Sequence, residues 1–156
     1  MHLRKQIDKL LEVLLVGLMG IMVLNVLWQV LSRALNASTS FTDELARFLL
    51  IWVGILGAAY VSGKHMHLAI DLLPQKLSGT KARNLNLLIY ALVFIFAALA
   101  MLVGGIRLVY ITLMLGQSSP AMGLPLGVVY SVVPLSGLLI MYYSFMDMVA
   151  EVRGEG

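Results

Sequence analysis

The 156-residue chain is too apolar for a water-soluble domain. Hydrophobic residues make up 60% of it and charged residues only 12%, whereas an ordinary soluble domain is about 45–50% apolar and about 25% charged. The membrane is therefore the solvent that suits this composition. The formal net charge of +3 is small and gives no basic nucleic-acid surface, and the absence of cysteine excludes disulfides and thiolate metal sites.

Four apolar runs are each long enough to form a membrane-crossing helix. An α-helix rises about 1.5 Å per residue, so about 20 residues cross the hydrocarbon core. The predicted spans are residues 10–33, 43–62, 85–115 and 126–149 of a single membrane domain that covers residues 1–156. The predicted fold class is therefore all-α, a polytopic membrane protein with four transmembrane helices. The first run is too long for the apolar core of a cleaved signal peptide, so we expect a retained helix.

Two prolines bear on the fourth span. Pro125 suits its first turn, where a missing N–H costs nothing. Pro134 lies inside the span and cannot donate to the carbonyl of Tyr130. We therefore expect a kink near the start of this helix.

The distribution of Lys and Arg predicts the orientation. Basic residues are concentrated in the N-terminal segment and in the loop after the second span, whereas residues 116–124 contain none. The basic residues of these two segments are Arg4, Lys5, Lys9, Lys64, Lys76, Lys81 and Arg83. Cytoplasmic loops carry an excess of Lys and Arg, so both termini and the second loop are expected in the cytoplasm and the other two connections outside.

Polar residues recur every four positions near the end of the first span. Asn25, Gln29 and Arg33 have this spacing, which places them on one helical face. Such polar groups need partners, because an unpaired polar group is costly in a membrane. A neighbouring helix is the natural source of those partners.

The second span opens with three charged residues, Asp43, Glu44 and Arg47. Charge at a membrane helix is expensive and is usually paired. Because the first two spans are antiparallel with a short connection, we expect an Arg33–Glu44 ion pair, with Arg47 satisfied by Gln29 or by a partner protein. The five residues Gln29, Arg33, Asp43, Glu44 and Arg47 are called the hairpin cluster below.

Three interpretations of the hairpin cluster stay open at this point. It can lock the first two helices together, form a contact with another protein, or line an ion pathway; its place at a helix end disfavours the last. Gly57, with Gly54 and Ala58, forms a small-residue patch where another helix can approach closely. That helix can belong to this chain or to another subunit.

No catalytic motif is present in the sequence. A phosphate-binding glycine loop, a nucleophile elbow and paired carboxylates in a polar pocket are all missing. The spacing of His65, His67 and Asp71 is not that of a recognised metal site. We therefore expect no enzyme, and no catalytic, metal-binding or cofactor-binding residue in this chain.

Several short motifs occur in a characteristic order between Arg33 and Pro134. They are Arg33; Asp43-Glu44-Leu45-Ala46-Arg47; Phe48 to Trp52; Gly57-Ala58-Ala59; His67 with Asp71; Pro120; Leu124-Pro125; Tyr130; and Val133-Pro134. In this order the chain resembles the DctQ-type small membrane subunit of tripartite ATP-independent periplasmic (TRAP) transporters. Thr42 departs from the pattern, since the family commonly has a tryptophan or another residue before the acidic pair.

The resemblance implies an accessory or scaffold subunit in the bacterial inner membrane. Such a subunit pairs with a large DctM-type membrane subunit, which is expected to hold the substrate and sodium ions, and a periplasmic binding protein delivers the solute. The implied process is sodium-driven uptake of organic acids, with lipid contacts and no nucleic acid. One alternative is a self-sufficient four-helix exporter, which needs a membrane-embedded carboxylate; Glu44, the only candidate, lies too near a helix end. The other is a membrane-bound assembly or sensor protein with no transport role.

Overall fold

The computed structural model describes residues 2–35, 38–64 and 80–153. These residues are almost entirely helical, and their one pair of bridged extended residues is Ser118 with Pro125. The helices are α1 (His2–Ala34), α2 (Ser40–Gly63), α3 (Thr80–Phe96), a π-helix (Ala97–Val103), α4 (Gly104–Met114), α5 (Leu126–Tyr130) and α6 (Val132–Arg153). His65, His67 and Asp71 lie outside the described residues.

Four helical stretches are long and apolar enough to cross a membrane. They are Arg4–Ala34, Ser40–Gly63, Ala82–Met114 and Leu126–Arg153. The predicted all-α fold with four transmembrane helices is confirmed. The third stretch joins α3, the π-helix and α4 without a break, because its apolar run contains no proline.

The fourth stretch is interrupted where the proline predicted a kink. Pro134 has no N–H for the carbonyl of Tyr130, and α5 ends at Tyr130. Ser131 turns the chain and bonds back to Val128: its hydroxyl donates to the Val128 carbonyl at 2.7 Å and its amide at 3.3 Å. The local polar groups are thus partly satisfied where the regular helix stops.

The chain folds into two compact units, the first made of residues 1–57 and 107–132. Its buried apolar residues include Leu49, Leu56 and Val129. The indole N–H of Trp52 donates to the carbonyl of Val129 at 3.0 Å. Trp52 is half-buried, and a tryptophan N–H shielded from water usually finds such an acceptor. This bond therefore ties α2 to α5.

The second unit comprises residues 58–106 and 133–156. Its core is formed by Ala59, Ala97 and Ile140, all buried. Glycine allows close approach here: a Cβ at Gly137 would lie 2.9 Å from the Cβ of Met101 and 3.1 Å from a backbone nitrogen. Small residues of this kind let membrane helices pack at short distance.

Gly137→Ala should destabilise the second unit. The added methyl would meet Met101 and the π-helix backbone, and overpacking of this kind costs about 1–3 kcal/mol. Gly54→Ala is the matched control, since a Cβ there has nothing within 4 Å and alanine is the better helix former by about 1 kcal/mol. Thermal unfolding of the purified chain in micelles, followed by the helical circular dichroism signal, measures both. Equal midpoints for the two variants would contradict the close approach.

Candidate functional site

The hairpin cluster lies where the end of α1 meets the start of α2. α2 begins at Ser40, and its first turn is closed by the Asp43 amide, which donates to the Thr39 carbonyl at 2.9 Å. The Thr42 hydroxyl donates to the same carbonyl at 2.9 Å. These local bonds satisfy groups that a helix start otherwise leaves free, and they hold Asp43 in a defined direction.

The polar face of α1 meets this first turn along its length. The side-chain amide of Asn25, which is buried, donates to the Thr42 carbonyl at 2.9 Å. Gln29 and Arg33, one and two turns further on, both donate to Asp43. The predicted shared face of these three residues is therefore confirmed, and its partner is the start of α2.

Asp43 is the acceptor that joins the two helices. Its Oδ1 accepts from the Gln29 amide and, at 3.1 Å, from the Arg33 guanidinium, while its Oδ2 accepts from the Thr39 hydroxyl at 3.4 Å. The Arg33 side chain is 64% exposed and that of Asp43 33% exposed. Solvent weakens an ion pair this exposed, so the bond with the less exposed Gln29 contributes at least as much to the hairpin.

Glu44 faces a different part of the chain. Its Oε2 accepts from the hydroxyl of Ser119 and from the backbone amides of Ala121 and Met122, each at 3.1 Å. Successive residues on an α-helix lie about 100° apart. One carboxylate of the pair therefore reaches α1, while the next reaches the loop of residues 115–125 that joins α4 to α5, here called the 115–125 loop.

The 115–125 loop is shaped to present its amides to Glu44. Gly116 and Gly123 have positive φ values of 61° and 67°, a conformation that favours glycine. Between them, the Ser119 amide donates to the Leu124 carbonyl and the Gly123 amide donates to the Ser119 carbonyl, both at 2.9 Å. The turn so formed points two successive amides at one carboxylate, as in other anion-binding backbone concavities.

The predicted Arg33–Glu44 ion pair is wrong. Arg33 pairs with Asp43, and Glu44 is held by the 115–125 loop. The prediction placed both acidic side chains at similar depth but could not choose between them, and the 100° step around α2 decides the choice. The suggestion that Gln29 satisfies Arg47 is also wrong: no hydrogen bond joins these two side chains, both of which lie in the described ranges, and the Gln29 amide donates to Asp43 instead.

Arg47 is exposed on α2. Its charge acts electrostatically on Glu44, and its guanidinium forms no hydrogen bond or ion pair with another residue in the described ranges. Contact of Arg47 with a partner protein stays a prediction.

The small-residue patch around Gly57 has open space beside it. A Cβ at Gly57 or Gly54 would meet nothing within 4 Å among the residues that the structure describes. Packing of this patch against another subunit stays a prediction, and the described part of the chain does not fill it.

The sequence analysis did not identify Ser119 or the backbone amides of Ala121 and Met122 as partners of Glu44. Ser119 is 75 positions from Glu44 in the sequence, and backbone amides carry no residue signature. The available signals were the absence of lysine and arginine from the 115–125 loop, its short polar run Gln117-Ser118-Ser119 and its prolines. No group of three or more histidine, aspartate or glutamate residues suited to a metal occurs within residues 2–35, 38–64 and 80–153.

The arrangement is suited to holding structure. Asp43 and Glu44 each accept three hydrogen bonds, and hydrogen bonds to a charged group are stronger than neutral ones. Together they join the end of α1, the start of α2 and the 115–125 loop. Carboxylates engaged in this way are poorly placed to pick up and release a transported ion.

Known proteins with similar sequences are membrane transport components. Residues 22–154 match the family described as tripartite ATP-independent periplasmic transporters, DctQ component. A protein of Haemophilus influenzae named as a TRAP transporter small permease is 28% identical over 154 residues, which cover 96% of this chain and 94% of that protein.

A second relative is much longer than this chain. The isethionate TRAP transporter permease protein DctMQ of Oleidesulfovibrio alaskensis is 27% identical over 117 residues. The match covers 75% of this chain but only 18% of that protein. This chain therefore corresponds to a small part of the longer relative.

Glu44→Gln should loosen the 115–125 loop. The neutral amide loses the charge that strengthens three hydrogen bonds, and bonds to charged groups contribute about 1.5–3 kcal/mol. Amide hydrogen exchange at Ala121 and Met122 should therefore accelerate by about tenfold or more. Asp43→Asn is the matched control, because Asp43 faces α1 and its loss should leave those amides unchanged. Equal exchange rates in the two variants would contradict the conclusion that Glu44, and not Asp43, holds the 115–125 loop.

Proposed function

The chain belongs to the DctQ family, the small permease component of TRAP transporters, and on this basis we propose that it is an accessory scaffold subunit of a sodium-driven secondary transporter for organic acids. It is a multi-pass membrane protein. In the proposed system a periplasmic binding protein delivers the solute, and a large DctM-type subunit carries solute and sodium. The role of this chain is to support that large subunit in the inner membrane.

The accessory role is supported mainly by the hydrogen bonds that hold Asp43 and Glu44. A carrier of protons or ions needs a membrane carboxylate whose partners can exchange during transport. Glu44 is the candidate on which the alternative exporter depends, and it is held by Ser119 and two backbone amides. Releasing it would free the loop that it anchors, which favours a structural role over export by this chain alone.

The longer relative supports a DctM-type partner. Its name, DctMQ, joins the M and Q components, and only 18% of its length matches this chain. A chain of that kind would place the two components in permanent proximity, which is the arrangement expected of partners that work together. Its named substrate, isethionate, is an organic acid anion and supports that class of solute.

The proposed orientation places both termini in the cytoplasm. The basic residues of the N-terminal segment and of the loop after α2 support it. The start of α2 and the 115–125 loop then face the periplasm, from which a soluble binding protein arrives. Exposed residues of that loop, such as Gln117, Pro120 and Ala121, are available for such a contact.

The orientation can be tested with single cysteines, because the chain has none of its own. Cysteine in place of exposed Ser118 should react with a membrane-impermeant maleimide in intact spheroplasts. Cysteine in place of exposed Arg153 should react only after permeabilisation. The reverse pattern of labelling would contradict the proposed orientation.

The accessory role can be tested by reconstituted uptake. Liposomes receive the large subunit, the binding protein and an organic acid, with this chain included or omitted and with or without an inward sodium gradient. Uptake should require both the chain and the gradient, and the chain alone should transport nothing. Full uptake without the chain, or proton-coupled export by the chain alone, would refute the proposal.

A further inference from the structure

Arg107 is an exposed charge on a transmembrane helix. It belongs to α4, in the third apolar stretch, Ala82–Met114, and its side chain is exposed. No residue in the described ranges forms a hydrogen bond or ion pair with it. A charge in this position is expensive unless something outside the chain receives it.

Arg107 points away from the packed side of its own helix. Thr112 is 3% exposed, and the position of a Cβ on Gly127 would fall within 3.2 Å of Val109 and Leu113 atoms. At about 100° per residue, these three α4 residues lie about 120–160° around the helix from Arg107. The guanidinium therefore belongs to the outward face.

The outward face of α4 carries large, mainly apolar side chains between that charge and the C-terminal end of the helix. Tyr110 is 63% exposed and Met114 75% exposed, and both share the face of Arg107 at spacings of three and seven residues. Met114 lies about 10 Å further along the axis. Two turns of exposed apolar residues thus separate Arg107 from the end of the helix.

A lipid bilayer can accommodate either the charge of Arg107 or the apolar side chains that follow it on this face, but not both. If the last two turns of α4 lie in hydrocarbon, Arg107 is drawn below the headgroups. If Arg107 lies among the headgroups, Tyr110 and Met114 are displaced toward water. Side chains on a helix also lean toward its N-terminus, so Arg107 leans away from the nearer end of the span. A protein helix with a matching carboxylate covers the apolar residues and neutralises the charge together.

We propose that the outward face of α4, with Arg107 at its centre, docks a transmembrane helix of the large DctM-type subunit that carries a carboxylate at the same depth. This inference rests on the proposed function, which supplies the partner. Arginine suits the role because its planar guanidinium can bond a carboxylate through two parallel hydrogen bonds and stays charged when desolvated. Tyr110 and Met114 supply the apolar contact around the pair.

The first test is retention of the partner by an affinity-tagged chain. Wild type, Arg107→Gln and the control Arg153→Gln, which removes another exposed arginine, are each co-expressed with the large subunit. The complexes are purified in mild detergent and transferred to nanodiscs of phosphatidylcholine alone or with phosphatidylglycerol. Losing one member of a desolvated charge pair should lower the retained large subunit by about tenfold or more, equally in both lipids, while Arg153→Gln matches wild type.

Each other outcome of this test overturns the inference. Wild-type retention by Arg107→Gln would do so and leave the proposed function intact. Loss of the wild-type complex when phosphatidylglycerol is absent would identify an anionic headgroup as the occupant. A wild-type chain that retains no large subunit in any lipid would overturn the proposed function as well.

A second measurement does not depend on a variant of Arg107 folding. A photo-crosslinking phenylalanine analogue replaces Tyr110 on the outward face, or Val109, which is half-buried and lies about 160° around the helix from Arg107. Irradiation should crosslink the Tyr110 position to the large subunit and leave the Val109 position uncrosslinked to it. Absence of the first crosslink, or equal yield at both positions, would overturn the inference.

Discussion

Two neighbouring carboxylates at the start of α2 organise the first unit of this protein. Asp43 receives the polar face of α1, and Glu44 receives the 115–125 loop. Adjacent helical positions point about 100° apart, so one turn of helix binds two different elements. Polar groups at a membrane lose hydrogen bonds to water, and these bonds within the protein replace them.

The same requirement explains the other polar contacts of the first unit. Asn25 and Trp52 both donate to backbone carbonyls, of Thr42 and Val129 respectively. Each bond gives a partner to a polar group that could form no hydrogen bond with lipid hydrocarbon, and each bond joins two helical elements. These polar side chains therefore act mainly as structural connections, which agrees with the proposed accessory role.

Large apolar side chains cover much of the outside of the described helices. Trp28 is 62% exposed, Leu99 65% exposed and Met114 75% exposed. In a membrane such residues meet lipid or another subunit at no solvation cost. In the docking proposed above, the charge at Arg107 is the feature that distinguishes a surface for a specific protein partner from one that suits any lipid.

The sequence by itself determined the four spans, the kink at Pro134 and the polar face of α1, because hydrophobic run length, proline chemistry and helical spacing are local properties. The family came from the order of the motifs between Arg33 and Pro134. Only the tertiary structure decided that Arg33 meets Asp43 and that Glu44 meets Ser119. The Arg33–Asp43 contact depends on the rotation of α2 about its axis, which residue spacing does not determine. The contact of Glu44 depends on a loop about 75 positions away in the sequence, which binds through the Ser119 hydroxyl and through backbone amides. Backbone amides occur at every residue except proline, so their arrangement around a carboxylate is visible only once the chain has folded.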